Sequence, residues 1–128
     1  MSDKLKEIVQ KVNEAFTQDK TEEFLALCRD DITWRVVGDT VVKGVENIRT
    51  YINSVDCEPP QFTVENLIVE GETAIANGEM TMTAKNGSLE QYSFCDVYRF
   101  SGEKIVELTS YIVKIDSEKE YQISKSAS

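Results

Sequence analysis

The sequence predicts an α+β fold in which three helices in the N-terminal half cover one face of a curved, mostly antiparallel sheet. Apolar residues recur at helical spacing up to about residue 55, and from Phe62 onward four strand-like segments follow, punctuated by Gly71, Asn86-Gly87 and Ser101-Gly102. With 128 residues, 41% apolar and 29% charged, the chain suffices for one core and is too short for two.

Leu5, Ile8, Val9, Val12 and Phe16 are the apolar stripe of a first helix over Asp3 to Thr17, with Ser2 and Asp3 placed to satisfy the free amides of its first turn. After the polar break Gln18-Asp19-Lys20, Thr21 reads as the N-cap of a second helix. Glu22 and Glu23 stand at its positive end, Phe24, Leu25, Leu27 and Cys28 form its apolar face, and it ends near Arg29-Asp30-Asp31. Ile32 to Val37 is β-branched and aromatic, hence a strand, and Gly38-Asp39 turns the chain into a short extended piece, Thr40 to Lys43. Gly44 opens a third helix whose buried stripe is Val45, Ile48, Ile52 and Val55, ending before Pro59-Pro60. The remaining strands form an antiparallel meander. The polar stretch after Ile115 has no core face, which divides the chain into a domain over 1–115 and a tail over 116–128.

Charge and composition remove several functions. Lys and Arg number 14 against 23 Asp and Glu, a net charge of -9, so phosphate backbones and anionic lipid are repelled and nucleic acid and membrane are poor partners. No apolar run approaches the roughly 18 residues of a membrane span, and the charged start has no signal-peptide core, so a cytoplasmic protein is expected. Cys28, Cys57 and Cys95 are odd in number and show no CxxC spacing, which points to reduced thiols. The absence of histidine excludes Ser-His-Asp and Cys-His nucleophiles and imidazole-held metals; no metal site and no cofactor are expected.

Acid–base chemistry must therefore rest on Asp, Glu, Lys, Tyr or Cys. A three-residue turn Ser101-Gly102-Glu103 pairs Phe100 with Lys104 and Asp96 with Leu108. One face then carries Tyr92, Phe94, Asp96, Tyr98 and Phe100 beside Val106, Leu108, Ser110 and Ile112, and Asp96 is its only carboxylate. Such surroundings penalise the ionised form, so the Asp96 pKa should rise, making it a candidate acid, hydrogen-bond donor or base; a structural hydrogen bond is the plainer use. Glu79 joins it only if Asn86-Gly87 forms a two-residue turn. A three-residue turn with Gly87 left-handed instead sends Ala76, Gly78, Met80 and Met82 to that face. Trp34 and Val36 share a strand face, Tyr51 lies beside the stripe of the third helix, and Met80 and Met82 read as core filler.

The element order, with the segments LCRDDITWRVVGDTVVKGVENIRTYI and FCDVYRFSGEKIVELTSYI, resembles the SnoaL-like and ketosteroid-isomerase-like branch of the nuclear transport factor 2-like superfamily over residues 5 to 115. The resemblance implies a cone-shaped barrel, the cystatin-like α+β roll, with an apolar pocket open at one end. It also implies a homodimer, and a function among isomerases, dehydratases, cyclases, epoxide hydrolases and binding or scaffold modules. The steroid isomerases' pattern Asp-His-Phe-Arg-Phe falls on Asp96-Val97-Tyr98-Arg99-Phe100, placing Asp96 on the aspartate those enzymes keep protonated. Their general base falls on Val36 and their oxyanion-hole tyrosine on or near Val12, so both groups are missing. The epoxide hydrolases' final-strand aspartate is likewise absent from Thr109-Ser110-Tyr111. The expected partner is a neutral apolar small molecule, in a pocket walled by Val12, Phe16, Trp34, Val36, Tyr51, Phe94, Tyr98, Leu108, Ser110 and Ile112, with Asp96 as its polar group. A non-catalytic interaction module of the same fold is the alternative.

Overall fold

The computed structural model describes residues 2–55 and 58–116. Its elements run α1 (Ser2–Thr17), α2 (Thr21–Leu25), β1 (Cys28–Val36), β2 (Thr40–Lys43), α3 (Val45–Ser54), β3 (Gln61–Glu70), β4 (Thr73–Thr83), β5 (Leu89–Ser101) and β6 (Lys104–Lys114). One six-stranded sheet has the order β2-β1-β6-β5-β4-β3, antiparallel except where β1 runs parallel to β6. The helical stripe of α1 is buried as its spacing predicts, with Leu5, Ile8, Val9, Val12 and Ala15 packed on the sheet's concave face beside Phe24, Ile48, Ala74, Ala76, Phe94, Tyr98 and Leu108. The mixed α+β fold and the curved sheet expected from the sequence are what the structure has. The tail over 117–128 and Cys57 lie outside the described residues.

Three local expectations are corrected. The second helix stops at Leu25 instead of Asp31, because Cys28 already pairs with Ile105 and the Ile105 amide donates to the Leu27 carbonyl, drawing the chain into the sheet. Thr21 is its first helical residue and not its cap; Lys20 takes that position, after Asp19 ends α1 with a left-handed backbone (φ 58°). In α3, Val55 has left the helix with an extended backbone and is 47% exposed, so the buried stripe ends at Ile52.

The strand registers decide what faces inward. The β5–β6 hairpin closes with Ser101 opposite Lys104 across Gly102-Glu103, and a bulge between Arg99 and Phe100 then sets Phe100 opposite Ile105 and Asp96 opposite Ser110. The expected pairing of Phe100 with Lys104 would have turned a lysine into the core. The bulge buries Ile105 in its place and leaves the Lys104 ammonium to donate to the Ala26 carbonyl (2.7 Å). At the other hairpin, Ala84 and Ser88 bracket a three-residue turn with Gly87 left-handed (φ 84°), and Ala76, Gly78 and Met80 lie opposite Asp96, Phe94 and Tyr92. Hydrophobic matching therefore prevails over the two-residue turn preference of Asn-Gly.

Candidate functional site

Asp96 sits in the middle of β5, level with Ala76 on one side and Ser110 on the other, and Ser110 is in turn level with Val36 of β1. This row crosses the concave face, where Asp96 is 9% and Ser110 3% exposed. Trp34, two residues before Val36 on the same face, donates from Nε1 to the Ser110 Oγ at 3.0 Å. Because that oxygen accepts from the indole, the Ser110 hydroxyl proton is free to point at the Asp96 carboxylate, with which it is hydrogen-bonded. Burial pushes the Asp96 carboxyl up to about 6, and the hydrogen bond from Ser110 partly offsets the rise.

Beside this relay lies a cavity of about 460 Å³ bounded by the sheet, α1 and α3. Its aromatic wall is built around Trp34, which stands edge-on to Tyr51 (centroids 5.6 Å apart, 89° between planes) and tilted against Phe16 (6.0 Å, 44°). Phe62 and Phe94 form a second edge-to-face pair at 5.4 Å, beside Met80 and Met82. The cavity reaches the surface where exposed Asp19, Asp39 and Glu58 line it, beside Pro59 and Pro60.

Of the expected wall, Phe16, Trp34, Val36, Tyr51, Phe94, Leu108, Ser110 and Ile112 line this cavity together with Asp96. Val12 and Tyr98 do not. Val12 faces the sheet from the middle of α1 with no exposure, and Tyr98 is 1% exposed and stacks on Phe100 (6.3 Å, 22°), so both are core. Glu79 is also corrected: the three-residue turn places it on the outer face, exposed, opposite Ser93. The sequence reading missed Phe62 and the mouth residues Asp19, Asp39 and Glu58. The loops that hold the last three were visible as polar or proline-rich breaks, and loops are where a rigid scaffold places ligand contacts. Cys28 is unsuited to nucleophilic work, since burial pushes its thiol up to about 12 and it donates to the Phe24 carbonyl. Among the described residues no group of three or more Cys, Asp and Glu side chains is arranged to hold a metal ion.

The SnoaL-like domain model matches residues 9–108. No curated protein matches the chain. Among solved structures, the chain is similar to an NTF2-like protein of unknown function from Burkholderia pseudomallei, at 21% identity and a TM-score of 0.79 over 84% of this chain and 88% of that one. It is also similar to an NTF2-like protein of unknown function from Cytophaga hutchinsonii (24% identity, TM-score 0.69, 85% of this chain and 99% of that one). A third is an LEH-like epoxide hydrolase of M. tuberculosis (14% identity, TM-score 0.76, 85% and 82%). At these identities the likeness is one of fold.

Proposed function

The chain belongs to the SnoaL-like domain family, and from that premise we propose that it binds an apolar small molecule in the cavity beside Asp96 and acts on it by cofactor-free proton transfer, as an isomerase, lyase or cyclase. The observation that carries this reading is the buried Asp96 carboxylate, oriented by Ser110 and Trp34 on the wall of an otherwise apolar cavity. A group poised near 6 suits proton exchange close to neutral pH. With the cavity open to water, Asp96 is mainly ionised at neutral pH and accepts a proton. An apolar ligand that expels that water raises its proton affinity, so the same group then donates. We propose further that the protein works in the cytoplasm as a homodimer. Free Cys28 and Cys95 fit a reducing compartment, and among the described residues no helix is long and apolar enough to cross a membrane.

Steroid-, terpenoid- and polyketide-type ketones, each with and without an amine substituent, screened by thermal shift, test the binding half of the reading, since a ligand bound to the folded state raises its melting temperature. For those that bind, incorporation of deuterium from D₂O at the carbon next to the carbonyl reports proton transfer. The expected result is exchange catalysed by the parent and abolished in Asp96→Asn while binding persists. Exchange undiminished in Asp96→Asn would overturn the role of Asp96, and a panel without a single stabilising compound would remove the ligand-binding reading. The second outcome would favour a scaffold module, a reading supported by the resemblance to steroid isomerases, whose base falls on Val36 and whose tyrosine falls on or near Val12.

A further inference from the structure

The charges around the cavity are all of one sign. Its lining holds four carboxylates, Asp19, Asp39, Glu58 and Asp96, and neither lysine nor arginine. None of the four forms an ion pair with a cation among the described residues. Among the described residues Ser110 is the one side chain that hydrogen-bonds Asp96, although a carboxylate offers about four acceptor positions. The other three carboxylates stand at the mouth, and Asp39 is close enough to Tyr51 for its charge to oppose ionisation of the phenol. The same lining holds the mutually packed rings of Trp34, Tyr51 and Phe16. An indole face attracts cations, more strongly as water is excluded.

A cavity lined by carboxylates and by no lysine or arginine favours a cation that enters it and disfavours an anion. We infer that the ligand is an amphiphilic cation, a protonated or quaternary amine carried on an apolar body, held by the aromatic wall around Trp34 and by the carboxylates of the mouth. This rests on the small-molecule reading above and replaces the uncharged ligand that the sequence suggested. Its chemistry follows from the cavity: an apolar body for Phe62, Met80, Phe94 and Leu108, and one positive charge for the carboxylates.

Trp34 is the only tryptophan of the chain, so its fluorescence reports occupancy of this cavity. Two probes of nearly one shape separate charge from burial: 1-benzylpiperidine, a cation at neutral pH, and 1-benzoylpiperidine, its uncharged amide. We expect the amine to bind the parent at least about tenfold more tightly, and this preference to fall to within about threefold in the triple variant Asp19→Asn, Asp39→Asn, Glu58→Gln, with amide affinity unchanged. Asparagine tolerates the left-handed backbone of position 19, and circular dichroism checks that the triple variant is folded. Equal affinity of the parent for the two probes, or a preference that survives the triple neutralisation, overturns the inference while leaving the small-molecule reading intact. If neither probe perturbs Trp34 in the parent, the inference falls, and the thermal-shift panel decides the small-molecule reading separately.

Discussion

At the scale of the residue, Asp96 makes the protein's stability depend on pH in the direction opposite to most carboxylates. Its native proton affinity is raised from the ordinary 3.8 to about 6 by burial. Between these values the folded chain holds a proton that the unfolded chain has released, so stability falls as pH rises through this window and is level above it. At about 1.4 kcal/mol for each pH unit between the two values, the loss is about 3 kcal/mol. Asp96→Asn keeps an acceptor for Ser110 and removes the ionisation. The variant is therefore expected to exceed the parent in stability at neutral pH by up to about 3 kcal/mol, with the gap closing below about pH 4. Glu22, Asp31 and Glu90, each held below the ordinary carboxylate range by a hydrogen-bonded Arg49, Arg29 or Lys114, impose the reverse slope at low pH on both proteins. Urea titrations of parent and variant across pH cancel those contributions, and a difference that did not vary with pH would show that Asp96 is not buried as described.

At the scale of the element, the concave sheet depends on Gly78. There β3 skips a residue between Val64 and Asn66, and its backbone comes so near β4 that a Cβ at position 78 would overlap the Thr63 carbonyl oxygen and lie 2.9 Å from the Glu65 amide nitrogen. Gly78→Ala must push the two strands apart at this bend, at an expected cost of about 3 kcal/mol in chemical denaturation. A cost below about 0.5 kcal/mol would mean that the strands yield freely and the bulge is not pinned there. The sequence discloses Gly78 only as inward-facing in one of two turn registers, because a close approach between strands leaves no periodic trace. What periodicity does disclose is a face: α1 and β5 show their buried sides outright, and Asp96 stood out because its neighbours in the period of two are apolar or hydroxylic. Register is harder to read, since a bulge shifts pairing without disturbing alternation along either strand. Turn length alone therefore sets Asp96 opposite Leu108, whereas it faces Ser110, and the relay to Trp34 leaves no trace in the sequence. The mouth carboxylates Asp19, Asp39 and Glu58 come from three separate loops, and only the closed fold brings them to one opening.

At the scale of the molecule, the homodimer proposed above would form through the outer face of the sheet. Ile75, Val97 and Thr109 are aligned across β4, β5 and β6, with Cys95 and Tyr111 in the next row and Ile68 opposite Ile75 on β3. Ile68 is 58% exposed, Tyr111 45% and Val113 65%, an apolar band of a kind that isolated chains seldom leave in water. The charges near it are Glu79 at one side, the exposed Arg35 level with Thr109, and the Arg99–Glu107 pair (3.8 Å), so two such faces can meet without stacking many carboxylates. Elsewhere the net charge of -9 on each copy repels the other, and screening by salt relieves that repulsion. Light scattering of the eluted protein is expected to give twice the chain mass, with the dimer tightening as NaCl is raised through roughly the physiological range. Tyr111→Asp sets a charge in the middle of the band without touching the cavity, and should yield a folded monomer whose Trp34 fluorescence matches that of the parent. A parent chain that runs as a monomer at about 10 μM, above the dissociation constants of most stable homodimers, would leave the band without a partner and overturn the dimer.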